Sequence, residues 1–154
     1  MTTIRKAMIN DLELLQSLWK KLHIYEEQFS DEFDENWAYS KKGSAKFENR
    51  LKGRNSIVFI AENNGKPVGF AVVHVSKTIM RHIDKIGLLE YLYVENDFRK
   101  KGVGTMLLRK VKNFLRNKKI SRIKLTTFSA NSNAIKFYKD HGIDDFVTIL
   151  EGDL

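Results

Sequence analysis

The chain has 154 residues, a formal net charge of +8 and apolar and charged fractions ordinary for a globular protein, so it suits one domain with one sizeable core. The absence of cysteine excludes disulfides, thiolate metal sites and a cysteine-borne covalent intermediate. No apolar run approaches the roughly 20 residues of a membrane span, and residues 1–9 hold no apolar stretch of signal-peptide length, which makes a cytoplasmic protein away from membranes the expectation.

In chain order, "TIRKA" at residues 3–7 predicts a short strand. Asn10 and Glu13 make an Asn-x-x-Glu capping-box pattern, and Leu12, Leu15, Leu18, Trp19 and Leu22 follow at helical spacing, so a helix is expected to about Gln28. Residues 30–55 are polar and less regular, with a short helix over 45–51. The runs "SIVFIAE" and "PVGFAVVHV" flank an Asn-Gly pair and predict a hairpin. After a connection at 76–85, "IGLLEYLYV" at 86–94 predicts another strand. A helix is expected over 102–118, with Val103, Leu107, Leu108, Val111, Phe114 and Leu115 as its apolar stripe. Then come a strand at 122–128, a helix over 131–141 stopped by Gly142, and a last strand at 145–152. This order predicts an α/β sandwich on a mixed central sheet, without the regular alternation of a doubly wound fold.

The charge is segregated. Arg99, Lys100, Lys101, Arg109, Lys110, Lys112, Arg116, Lys118, Lys119, Arg122 and Lys124 crowd one stretch, and Glu26, Glu27, Asp31, Glu32, Asp34 and Glu35 another. Two such blocks fit two ligands of opposite sign, or two solvated faces. Nucleic-acid binding calls for aromatic residues among the basic ones, and only Phe98 and Phe114 lie there. His23, His74, His82 and His141 have no metal-ligand spacing, so no metal is expected.

Within "NDFRKKGVGTMLLRKV" a strand end, a basic loop, two glycines and a helix start follow one another. Glycines at 102 and 104 allow close backbone approach and positive φ, and the helix start leaves free N–H groups in a favourable dipole. A pyrophosphate fits that geometry. The pattern is neither a phosphate-binding Gly-Lys-Ser/Thr loop nor Gly-x-Gly-x-x-Gly, because residue 107 is Leu107.

Arg99-x-x-Gly102-x-Gly104, after a strand ending at Val94, resembles the acetyl-coenzyme-A signature of the GCN5-related N-acetyltransferase (GNAT) superfamily. Ile4-Arg5-x-Ala7-x-x-x-Asp11 is similar to that family's opening, and Asn131-x-x-Ala134-x-x-Phe137-Tyr138-x-x-x-Gly142-Ile143 to its second signature. Lys100, Glu95 and Ile143 stand where the family often has glycine, proline and phenylalanine. The resemblance implies a single GNAT domain over 1–154, with a mostly antiparallel sheet flanked by helices on both faces. It also implies direct acetyl transfer from acetyl-coenzyme A to an amine.

By the same resemblance, Leu92, Tyr93 and Val94 pair through their backbone with the pantetheine arm. Arg99, Lys100, Lys101, Gly102, Val103, Gly104 and Thr105 hold the pyrophosphate. Asn131 contacts the pantetheine or caps its helix, and the Tyr138 hydroxyl serves the sulfur as acid. An amine arrives protonated, with a pKa of roughly 10.4. Glu90, sharing a face with Leu92 and Val94 by the two-residue period, is expected among apolar neighbours that raise its pKa, as general base or as cation anchor. The acidic, aromatic stretch of Tyr25, Glu26 and Glu27 suits a cationic acceptor. Its helix and the strand around Glu90 also resemble spermidine/spermine N-acetyltransferases, which favours a polyamine over aminoglycoside or protein amines. A homodimer is expected from the family alone. A non-catalytic acetyl-coenzyme-A sensor and a nucleic-acid-binding module are the readings of a different class.

Overall fold

The structure, a computed structural model, describes residues 1–154. Five strands form one sheet in sequence order: β1 (Thr2–Lys6), β2 (Ser56–Asn63), β3 (Lys66–Lys77), β4 (Lys85–Val94) and β5 (Ile123–Lys124). The first four pair antiparallel and β5 joins β4 in parallel. Four helices complete the fold: α1 (Leu12–Glu26), α2 (Lys41–Lys52), α3 (Val103–Asn117) and α4 (Ser132–Asp140). None is long and apolar enough to cross a membrane.

Period-two alternation in the central strands sends side chains to two cores. Val58, Ile60, Phe70, Val72 and Tyr93 pack on one face against Leu15, Leu18, Trp19 and Leu22 of α1 and Phe47 of α2. Phe59, Ala61, Ala71, Val73, Leu89 and Val94 pack on the other against Val103, Leu107, Leu108, Val111 and Leu115 of α3. Helices thus cover both faces of a mostly antiparallel sheet. The predicted hairpin forms, with Asn64 and Gly65 at φ 48° and 77°, the left-handed pair that a two-residue turn requires. Gln16, buried in α1, donates to the Ala38 carbonyl just before α2 at 2.8 Å and to Ser44 Oγ of α2 at 2.9 Å.

Four local expectations are corrected. The α1 entrance is held not by Asn10 and Glu13 but by Asp11, whose carboxylate accepts the Met8 amide at 2.7 Å and two bonds from Arg5 at 2.8 Å each. The strand expected over 122–128 shortens to Ile123–Lys124, because β5 diverges from β4 after Leu88 and the later residues lose their partner. Residues 145–152 form no strand, for they too lie beside none. Finally, β4 carries a bulge: Val72 pairs with Tyr91 and Val73 with Leu89, so Glu90 is the extra residue.

Candidate active site

The divergence of β5 builds the site. Glu95 donates its amide to Val68 across β3, and the antiparallel alternation then turns Tyr93 toward β3 and the Leu92 and Val94 amides toward the side that β5 has left. A slot of unpaired backbone therefore opens along the last turn of β4. The Leu92 and Val94 side chains meanwhile pack into the α3 core, and Tyr93 packs against α1.

Immediately beyond, the chain turns through Lys100 at φ 57° and Gly102 at φ 82° into α3. A left-handed conformation costs a lysine about 1 kcal/mol, and Lys100 is where the family signature often carries glycine. The amides of Lys100, Lys101, Gly102, Val103, Gly104 and Thr105 donate to no acceptor within the chain; the first bonded amide is that of Met106, to the Gly102 carbonyl at 3.0 Å. Six successive free donors at a helix N-terminus suit a diphosphate. A Cβ added at Gly102 meets nothing within 4 Å, so the cradle is open. Gly104 differs from expectation: it is helical, and a Cβ there comes within 3.3 Å of the Phe137 ring, so its smallness serves packing of α3 on α4.

Arg99 holds this loop from behind. Its Nε donates to the Val94 carbonyl at 2.8 Å, and its guanidinium lies 4.0 Å from the centre of the Tyr25 ring and 5.6 Å from that of Tyr93. Lys21 of α1 pairs with Glu95 beside it. Together Lys21, Ile24, Tyr25, Tyr93, Asn96 and Arg99 line an open cleft of about 410 Å³.

α4 packs beside the start of α3, its Phe137 ring against Gly104. Asn131 is buried and caps the helix, its Oδ1 accepting the Ala134 amide at 3.1 Å. Thr105 of α3 and His141 share a hydrogen bond of 3.1 Å, and Lys112 donates to the His141 carbonyl at 2.7 Å, so the end of α4 is tied to α3. The Tyr138 hydroxyl has no protein partner; burial, then the charge of Glu26, pushes its pKa above the ordinary tyrosine range and keeps it a donor.

Glu26, the last residue of α1, stands between Tyr25, stacked under Arg99, and Phe29, whose ring stacks on Phe128 at 5.9 Å just before α4. It is half-buried, makes no ion pair, and burial raises its pKa, an effect only partly offset by His23. Glu27 is exposed.

Glu90 corrects two expectations. The bulge turns it to the α2 side, away from the face of Leu92 and Val94. There Arg50 forks onto its two oxygens at 2.6 and 3.0 Å, Lys46 approaches to 3.2 Å and His74 to 3.5 Å. Burial pushes its carboxylate up, but the Arg50 hydrogen bonds and the Lys46 and Arg50 charges outweigh it, and the pKa lies below the usual range. Sequence reasoning missed Lys46, Arg50 and His74; the signal was the i, i+4 spacing of Lys46 and Arg50 around the apolar Phe47.

A model of the acetyltransferase (GNAT) family matches residues 18–143, and the chain belongs to that family. It is 28% identical over 145 residues to an uncharacterized N-acetyltransferase of Methanocaldococcus jannaschii, covering 93% of this chain and 61% of that longer protein. Its fold is similar to that of a predicted acetyltransferase of Clostridium acetobutylicum solved with acetyl-coenzyme A, at 24% identity and a TM-score of 0.79 over 99% and 96% of the two chains. It is similar also to an aminoglycoside acetyltransferase from an uncultured soil metagenomic sample in complex with sisomicin, at 19% identity and a TM-score of 0.72 over 99% and 96%.

Proposed function

We propose that this chain is an acetyl-coenzyme-A-dependent N-acetyltransferase that acetylates a primary amine of a small cationic acceptor, with polyamines favoured. The observation that carries this reading is the run of six free amides from Lys100 to Thr105, continuous with the unpaired edge of β4 at Leu92 and Val94. The cofactor supplies an activated acetyl thioester. Its diphosphate meets the loop amides with Lys100 and Lys101 beside them, its pantetheine arm meets the β4 edge, and the Val94 amide faces the carbonyl oxygen. Asn131 keeps its side-chain amide free to donate toward the same arm while its oxygen caps α4.

Tyr138, protonated throughout the working pH range, donates to the departing sulfur. Glu26 is the group suited to the acceptor. Its unpaired, half-buried carboxylate draws an ammonium and takes one proton from it, directly or through water; the freed nitrogen then bonds the carbonyl carbon, the carbon–sulfur bond breaks, and the second nitrogen proton replaces the one that Tyr138 gives to the sulfur. Glu90, saturated by Arg50 and Lys46, fixes the bulge of β4 to α2 instead of acting as a base. Tyr25, Phe29 and Phe33 beside Glu26 supply the apolar and π surfaces that a flexible polycation uses.

An aminoglycoside acceptor is the second reading, favoured by the fold likeness to the enzyme solved with sisomicin. Thiol release from acetyl-coenzyme A with spermidine, kanamycin and a lysine peptide tests the proposal. Spermidine is expected to give the highest kcat/KM. Faster turnover of kanamycin replaces the acceptor class, and cofactor binding without thiol release from any amine replaces catalysis by sensing.

A further inference from the structure

A polar pocket opens where α2 ends and β2 begins. It holds about 290 Å³ and is lined by Asn49, Arg50, Arg54, Asn55, Ser56 and His74, with Val75 its single apolar side chain. His74 pairs with Leu88, six positions before Val94, so the pocket stands roughly 15–20 Å down the sheet from the free edge of β4. Its donors are unspent. Arg50 gives Nε and Nη2 to Glu90 and leaves Nη1 free. The Arg54 guanidinium and the Asn49 and Asn55 carboxamides make no bond within the chain, and the amides of Arg54 and Asn55 donate to no acceptor in it. Lys118 adds a cation nearby, its Nζ donating to the Arg54 carbonyl at 2.7 Å. No acidic residue lines the pocket, and Glu90 beside it is already held by Arg50 and Lys46. The Nδ1 atom of His74, also of this wall, is buried without a hydrogen-bond partner, and native structures leave few such atoms unmatched.

We propose that this pocket is a second ligand site, apart from the acetyl-transfer cleft, that takes the phosphate of a small polar phosphate monoester. Its donors outnumber what the two oxygens of a carboxylate can accept, whereas the three oxygens of a phosphate dianion suit two guanidinium edges and two backbone amides. The pocket far exceeds the roughly 30 Å³ share of one water, which leaves room for the rest of the molecule, and its polar lining fits a polyol better than an apolar body. Arg50 then joins the bound phosphate to Glu90, and so to the bulge of β4.

Amide resonances of the isotope-labelled full chain, with coenzyme A in excess to fill the cradle at α3, test this. The chain is titrated with glycerol phosphate, with inorganic phosphate and with sodium chloride at matched ionic strength. Saturable shifts are expected at Arg54 and Asn55 with glycerol phosphate, with weaker binding of inorganic phosphate and no saturation with chloride. Shifts confined to residues 100–105, an absence of saturation, or an equal response to chloride overturns the proposal, and equal affinity for inorganic phosphate overturns the ester. The readout at Arg54 and Asn55 stands whether or not coenzyme A fills the cradle. Arg54 is exposed, so Arg54→Ala is expected to fold as the parent does and to keep its acetyl transfer, while glycerol phosphate binds about tenfold more weakly. Parental affinity in Arg54→Ala overturns the site.

Discussion

The guanidinium of Arg99 lies over Tyr25, 4.0 Å from the ring centre, while its Nε donates to the carbonyl of Val94 at 2.8 Å. One side chain thus joins the end of β4, the start of the glycine loop and the end of α1. On the proposed function, the cofactor half of the cleft and the acceptor half share this joint.

Arg99→Ala is therefore expected to raise KM for acetyl-coenzyme A and for the amine together, by several-fold each, and to cost about 1–2 kcal/mol of stability through the lost stacking and charge-assisted hydrogen bond. Arg99→Lys keeps the charge but not the planar fork, and it is expected to restore little of either. Steady-state kinetics varying both substrates, with thermal unfolding, check this. Full rescue by lysine would mean that Arg99 acts only as a point charge on the phosphates.

The Glu90 cluster governs acid stability. Burial opposes its charge, but Arg50 and Lys46 prevail, so its folded pKa lies below its unfolded one. The stabilisation is complete above the unfolded value of roughly 4.3 and is lost as pH falls through the lower folded value. Urea unfolding of Glu90→Gln between pH 7 and pH 3 is expected to show a shallower acid slope than the parent. Arg50→Ala, which leaves the carboxylate with Lys46 and His74 alone, is expected to cost about 2 kcal/mol at pH 7. Activity distinguishes this from a base: Glu90→Gln is expected to keep kcat within about tenfold of the parent, less than the loss of a general base brings.

What the sequence made legible is what side-chain period and turn chemistry encode. The apolar stripe of α3, the Asn64–Gly65 hairpin, the Gly102 turn and the free amides at the start of α3 all declare themselves locally. The bulge at Glu90 does not, because inserting one residue into a ladder leaves no mark on the side chains of β4 itself. A strict two-residue period then places Glu90 on the wrong face and gives it the wrong neighbours, since Lys46 and Arg50 come from an element 40 or more positions away. The strands expected at 122–128 and 145–152 failed for a related reason. Their residues favour extended backbone, but a strand exists only beside another, and β5 leaves β4 after two pairs.

Gly102 and Gly104 are expected to separate by experiment. At Gly102, where φ is 82° and space is open, Ala brings backbone strain of about 1–2 kcal/mol and weakens donor binding by tilting the loop amides. At Gly104, Ala presses on Phe137 and moves α4, so Tyr138 is displaced and kcat falls along with affinity. Isothermal titration with coenzyme A and turnover on each variant compare the two. Lys100→Gly, which removes the left-handed lysine, is expected to bind the donor no more weakly than the parent and to unfold at a higher temperature only where relief of strain outweighs the greater chain freedom of glycine.

Glu26 and Tyr138 give the sharpest test of the chemistry. On the proposed mechanism Tyr138→Phe removes the donor to the sulfur, so kcat is expected to fall about 100-fold with KM for acetyl-coenzyme A nearly unchanged. Glu26 is a carboxylate whose folded pKa is raised by burial. Its contribution to stability is therefore fully present below the unfolded value of roughly 4.3 and is lost as pH rises through the folded pKa, so that at neutral pH the native state carries an ionised group against a penalty. Glu26→Gln removes that penalty, and it is expected to be more stable than the parent at pH 7 while losing about 100-fold in kcat/KM for the amine and the acidic limb of the pH–rate profile. A more stable, nearly inactive variant is the mark of a group retained for chemistry. A variant that is more stable and fully active would remove Glu26 from the reaction, leaving the amine to lose its proton to solvent.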